Sequence, residues 1–269
     1  MRSRLLLVVL SALTFCLSAS ADEWNKSFTL NGKPELRVKT GDANIRVEPW
    51  DKSTVDIQVT TENWKIGEDG LEIRDHQDGN SVSLDVPTGR NEVHFGWGYH
   101  ARRRVDIVVH MPREARLDLN TRDGNIVVSD IKGDVTTQSG DGHQQLKNVE
   151  GSLNAGSGDG SIELTGRFDK LNVRSGDGRV EARVLPGSKM TSDWSMRAGD
   201  GSIHVMLPSD FAADLEALTG DGHIDLDMPV QMSGRVGHRF HGKLNGGGAV
   251  LNLHTGDGSI LVGRLQGAI

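Results

Sequence analysis

The chain has 269 residues, with 30 Lys and Arg against 37 Asp and Glu, a net charge of −7. That balance argues against nucleic acid or an anionic membrane surface as a general partner. Aromatic residues make up 4% and glycines number 34, nearly twice the ~7% usual share, which suits a thin, turn-dense β architecture and no thick helical core.

Residues 1–21 read as a secretory signal peptide. Arg2 and Arg4 give a positive start, Leu5 to Leu17 is a short apolar run, and Ala19-Ser20-Ala21 is a small-x-small cleavage site. The run is too short to span a bilayer. Cys16 is the only cysteine and leaves with this segment. Phe15 before it is not the small residue a lipid-anchored export signal needs. The expectation is an exported protein without disulfides, periplasmic, cell-surface or extracellular. Its mature part carries 28 cations against 37 acids, a net charge of −9, and no transmembrane span. Residues 22–112 are expected to form an N-terminal β region or cap, and residues 113–269 a set of β-solenoid repeats, with one continuous domain over both as the alternative.

From residue 28 onward, strand signals dominate. Leu36, Val38 and Thr40 alternate with polar residues, as do Val55-x-Ile57-x-Val59, Val82-x-Leu84-x-Val86 and Val105-x-Ile107-x-Val109. Period-two alternation predicts one buried face per strand. The pattern Ser/Thr-Gly-Asp-Gly-x-Ile/Val then recurs, with Asp123, Asp141, Asp159 and Asp177 in one constant 18-residue step. Leu117, Val135, Leu153 and Leu171 keep the same step six positions earlier. Such self-similarity marks a chain of stacked coils, none of which buries its apolar face alone. The fold class expected is all-β: a parallel β-solenoid or β-helix with ~18–21-residue coils and an irregular N-terminal β region, with a β-sandwich as the alternative.

The frame reappears around Asp200, Asp221 and Asp257, the last step reading as two coils of which one has lost its turn. Phe211 to Leu218 has good helix formers, but Leu215, Ala217 and Thr219 fit the repeat, so a strand is expected. Gln144 stands where other coils have Ile or Val, and a buried Gln needs partners. Trp194 fits the inward frame. Trp50 and Trp64 read as core or cap residues.

In the turn, glycine is expected to supply positive φ, Asp to bond its own backbone, and Ser or Thr to satisfy a nearby donor. The aspartates are then turn formers facing solvent. The alternative is calcium held by Asp141, Asp159 and Asp177. Carboxylates stacked ~4.8 Å apart repel by about 0.9 kcal/mol per pair in water, and a cation would remove that. One carboxylate per coil falls short of the six or more oxygens calcium takes, so no metal and no cofactor are expected.

His238-x-x-His241 lies in a basic, glycine-rich stretch with Arg235, Arg239 and Lys243, and reads as a solvated loop. Residues 87–104 form the longest non-periodic insertion. Trp97 and Tyr99 alternate among glycines there, followed by Arg102, Arg103 and Arg104. Exposed aromatic faces stack on sugars or peptides and arginines pair acids, so these five are the candidate ligand-binding residues. The bland reading is a hairpin tip folded over the sheet. No nucleophile elbow, His-Glu-x-x-His or phosphate loop occurs, so no catalytic residue is assigned.

Leu244-Asn-Gly-Gly-Gly248, then Leu251-Asn-Leu-His-Thr-Gly-Asp-Gly-Ser-Ile260, together with the turn repeats, resemble an exported bacterial family of β-strand-repeat, adhesin-like proteins of unknown function. The resemblance covers roughly residues 30–265. It implies a β-solenoid delivered to the cell envelope and carries no catalytic residues. The first turn departs from the pattern at Ala43, and the Asp141 turn is followed by His143-Gln144. The functional expectation is a non-enzymatic, adhesin-like interaction or structural module of the cell envelope, its partner an envelope or extracellular glycan or protein. A polysaccharide-cleaving enzyme on a parallel β-helix is the alternative.

Overall fold

The computed structural model describes residues 21–67, 70–88, 103–232 and 237–265. They form 21 β-strands and no helix. The chain opens with β1 (Ala21–Thr29), β2 (Glu35–Thr40), β3 (Asn44–Trp50), β4 (Thr54–Glu62), β5 (Arg74–Asp78), β6 (Ser81–Val86) and β7 (Arg104–Pro112). The middle holds β8 (Glu114–Asn120), β9 (Ile126–Ser129), β10 (Lys132–Ser139), β11 (Gln144–Ser157), β12 (Ile162–Ser175) and β13 (Val180–Val184). The last third has β14 (Trp194–Ala198), β15 (Ile203–Leu207), β16 (Ala213–Thr219), β17 (Ile224–Asp227), β18 (Gln231–Met232), β19 (Arg239–Leu244), β20 (Val250–Thr255) and β21 (Ile260–Arg264).

The repeat is a pairing register. Val135 on β10 lies between Leu117 of β8 and Leu153 of β11 in parallel ladders, and Leu153 in turn pairs Leu171 of β12. Each rung is a first arm, a turn and a second arm, such as β8, residues 121–125 and β9. Alternate residues of both arms are buried in one core, as the period-two pattern requires: Leu117, Leu119, Ile126 and Val128 are all under 2% exposed. Trp194 fills this core, edge-on to Phe168 at 6.3 Å and tilted against Phe211 at 5.4 Å. The segment with helix formers is strand β16, as its repeat frame requires.

Gln144 is fully buried and satisfied. Its side-chain carbonyl accepts from the Thr137 hydroxyl at 2.6 Å, and its amide donates to the Gly156 carbonyl. The stack therefore does not open there.

Rung order departs from chain order at both ends. β2 pairs β6 on one side and β8 on the other, while β3 lies between β7 and β9. At the far end β20 lies between β14 and β16, and β21 between β15 and β17. The long step from Asp221 to Asp257 is thus not two coils with a lost turn. Within it, β18 and β19 pair antiparallel, and β19 lies antiparallel to β16. At the N-terminal end β1, β4 and β7 are antiparallel, and β5 is antiparallel to β6. The Lys26–Asp75 ion pair and a bond from the Gln77 amide to the Thr29 carbonyl at 2.8 Å tie β1 to β5.

Candidate functional site

The turns stack into one edge of the molecule. Asp42, Asp123, Asp141, Asp159, Asp177, Asp200, Asp257 and Asp221 follow one another along it, all exposed. The ladder is held by backbone. Asp159 N–H donates to Gly140 O at 3.0 Å, Asp200 N–H to Gly176 O at 3.2 Å, and Asp221 N–H to Gly256 O at 3.2 Å. The hydroxyl column ties rungs together: Ser157 donates to Gly140 O and Ser175 to Gly160 O, both at 3.1 Å, and Thr255 to Gly201 O at 2.7 Å. Thr121 and Thr219 also accept from the N–H of Gly124 and Gly222, the local role expected of them.

The glycines act otherwise than expected. No glycine of the Gly-Asp-Gly turns lies in the left-handed region. The second glycine is needed for space, because a Cβ there would strike the carbonyl of the preceding turn. At Gly160 it would stand 2.7 Å from the Gly142 carbonyl carbon, and closer still to its oxygen. Positive φ belongs to the opposite corner, at Asp130 and Asn148 and at Gly133 and Gly151. Ala43 departs from the pattern where the column starts, because the rung beneath it joins β6 to β7 through residues 87–103 and has no short turn.

That connection is the insertion singled out in the sequence. Trp97, Tyr99 and Arg102 lie outside the described residues. The insertion leaves the stack at Thr88, whose hydroxyl accepts from Asp42 N–H, and returns at Arg103. The Arg103 guanidinium lies 4.9 Å from the centre of the Trp64 ring. Arg104 binds Asp106 at 2.7 Å, and this hydrogen-bonded pair holds its guanidinium above the usual range. Arg103 and Arg104 thus flank the base of the insertion.

Several open grooves lie on the strand faces, two of them lined by histidines. One, of about 480 Å³, is lined by Trp50, His110, Asp56 and Gln58. Trp50 is held there by its Nε1 donating to Thr54 O at 2.9 Å, by stacking on His110 at 5.4 Å, and by Lys52 at 4.3 Å. The other, of about 330 Å³, crosses β16, β19 and β20 and is lined by Glu216, Arg239, His241, Asn252 and His254. His241 Nδ1 lies 3.7 Å from Glu216 Oε1. Sequence reasoning missed this groove because its residues meet only through the displaced rung order. Its trace in the sequence was the basic His238-x-x-His241 stretch, which reads as a solvated loop but from Arg239 onward is strand β19, paired with β16.

Among the described residues no three His, Cys, Asp or Glu side chains are grouped to hold a metal. No helix of the described residues is long and apolar enough to cross a membrane.

A family model described as Toastrack DUF4097 matches residues 34–262. No curated protein matches the sequence. Similar solved structures include a candidate cell adhesion protein of Clostridium sporogenes, at 15% identity and TM-score 0.40, covering 91% of this chain and 100% of that one. A candidate adhesin of Parabacteroides merdae has 12% identity and TM-score 0.43 over 89% and 95% of the two chains. A candidate lipid-binding protein of Parabacteroides distasonis has 12% identity and TM-score 0.37 over 91% and 98%. At these TM-scores the likenesses add nothing to the family match.

Proposed function

This chain belongs to the Toastrack DUF4097 family, and we propose that it is an exported, non-enzymatic, adhesin-like module that binds a glycan or protein of the envelope or extracellular space. The observation that carries this reading is the placement of the insertion. The rung of β6 and β7 has residues 87–103 in place of a turn, at one end of an otherwise regular edge. Trp97, Tyr99 and Arg102 belong to that insertion by sequence, and Arg103 and Arg104 stand where the chain rejoins the stack. A rigid stack that presents one aromatic and basic insertion is suited to recognition. Export is supported by the signal-like residues 1–21. A non-enzymatic role is supported by the groove of His241 and Glu216, whose facing side chains stay largely exposed to water.

The test uses purified residues 22–269 against envelope and extracellular polysaccharides, scoring retention and new chain ends together. Retention that is lost on deleting residues 90–102 supports the reading. Retention unchanged by the deletion removes the insertion from the site. New chain ends would make the protein a polysaccharide-cleaving enzyme.

A further inference from the structure

Stacking in register turns each outward strand position into a row that crosses the strands. One such row is basic. Arg174 of β12 pairs Arg197 of β14, which pairs His254 of β20. His254 pairs Leu218 of β16, which pairs Arg239 of β19. All four basic residues are exposed, and none pairs with an acid among the described residues. Like charges directly opposite one another on neighbouring strands destabilise a sheet. Core packing does not require them, since the same row holds Gln138 and Gly156 on earlier rungs. In a chain of net charge −7, this row is a local reversal of sign.

The row two residues back along the strands is amide-rich. It runs Asn154, Asn172, Ser195 and Asn252, then reaches Glu216 and His241. Asn172 Nδ2 donates to Asn154 Oδ1 at 2.8 Å, leaving further donors and acceptors of both amides facing solvent. The groove of about 330 Å³ joins the two rows at Asn252, His254 and Arg239. Along the turn edge, Asp177, Asp200, Asp257 and Asp221 border the basic row and repel an anion that strays onto the edge.

We propose that this face binds a linear acidic polysaccharide that runs across β12, β14, β20, β16 and β19, with its acid groups on Arg174, Arg197, His254 and Arg239 and its hydroxyls on the asparagine row. The polymer class follows from the pair of rows. Basic side chains on the adjacent strands β12, β14 and β20 at ~4.8 Å, then on β19 beyond Leu218, match a chain of repeating charge, and neighbouring amides match a chain rich in hydroxyls. A phosphate backbone or lipid headgroup would use the cations and the amide N–H donors and leave the amide carbonyl acceptors unused, whereas sugar hydroxyls engage both. This inference rests on the adhesin-like reading and assigns it a ligand class and a second contact face.

The experiment measures Kd for polygalacturonate, with dextran as the neutral control and anionic phospholipid vesicles and duplex DNA as other polyanions. The chain is residues 22–269, its fold checked by circular dichroism. Polygalacturonate binds the native protein and dextran does not. R174Q/R197Q/R239Q, all exposed changes, weakens binding roughly 3- to 100-fold, the sum of three exposed charge contacts. Glu216→Gln removes a repelling acid from the groove and tightens binding. An effect of the triple variant below about twofold overturns the proposal, as does absent binding to polygalacturonate. Equal, arginine-dependent binding to DNA or vesicles overturns the assignment of a glycan. Deletion of residues 90–102 leaves polygalacturonate binding intact. A ligand lost on that deletion but kept by the triple variant would uphold the insertion site and overturn this one.

Discussion

Replacing Gly160 by Ala tests whether the turn glycines serve space or conformation. Gly160 does not lie in the left-handed region, so alanine meets no backbone strain. On conformational grounds alone, Gly→Ala there stabilises by about 0.4–1 kcal/mol through the unfolded chain. The stack imposes the opposite. The new Cβ would stand 2.7 Å from the Gly142 carbonyl carbon and 2.8 Å from Ser157 Oγ. Relief requires the two turns to part. Parting strains the bonds from Gly158 N–H and Asp159 N–H to Gly140 O, 2.8 and 3.0 Å, and from the Ser157 hydroxyl to the same oxygen, 3.1 Å. Overpacking costs about 1–3 kcal/mol and each weakened bond up to about 1 kcal/mol, so the net loss is about 2–4 kcal/mol. For a chain of this size that lowers the melting temperature by roughly 5–15 °C. The control is Gly79→Asn. Gly79 has φ +57° with nothing within 4 Å of an added Cβ, and asparagine tolerates that conformation. Thermal and urea denaturation followed by circular dichroism read both variants. If Gly160→Ala is as stable as the native protein or more so, the close-approach argument is wrong.

Gln144→Leu leaves the Thr137 hydroxyl without its buried partner and costs about 1–3 kcal/mol in urea unfolding, most of it recovered in the double variant with Thr137→Val. Ala198 interrupts the hydroxyl column, so Ala198→Ser adds a bond to the preceding turn and raises stability by about 0.5–1 kcal/mol on the same assay. Glu114 is held below the usual carboxylate range by its hydrogen bond to Lys132, and Glu72 likewise by Arg74. Depressed carboxyl pKa values give stability that is present above the unfolded value near 4.5 and lost as pH falls through the folded value. A melting series from pH 6 to 3 therefore declines on the acid side, and E114Q/E72Q flattens that decline slightly. Calcium leaves the melting temperature unchanged; a saturable rise, lost in D141N/D159N/D177N, would show that the turn column binds it.

The middle of the fold was legible because its sequence period is its pairing offset. Leu117, Val135, Leu153 and Leu171 read as one column and stack as one. The repeat outweighed helix propensity over Ala213–Thr219, since its frame reports long-range pairing and propensity only local preference. The ends were not legible. Periodicity identifies residues with equivalent positions in a rung, but not which rung lies beside which. Leu251 fits the frame equally well wherever its rung sits, and it lies between Trp194 and Leu215. Glycine's role in the turn was misread for a related reason. Positive φ is a local property suggested by the residue itself, whereas the contact with the preceding carbonyl exists only in the stack. The basic row escaped notice because Arg174, Arg197, His254 and Arg239 are scattered in sequence and adjacent only in register.

The displaced rungs also bear on why the stack has a defined length. A parallel ladder ending in a bare strand offers its open edge to another copy. Here the first arms end in antiparallel pairs, β5 on β6 at one end and β19 on β16 at the other. The second arms end in the antiparallel β1 and β4 at one end. At the other end they stop at β17, four residues long with Asp225 and Asp227 exposed on it. Short, charged or reversed edges oppose extension in register. The hairpin of β18 and β19 that builds one cap lies in sequence between the rungs of Asp221 and Asp257. In sequence the terminal rung and its cap thus precede β20 and β21, which lie in space between that rung and β14 and β15. Arg239 is carried by the cap and His254 by the inserted rung. The basic row is thus complete only where the inserted rung and the cap are both in place.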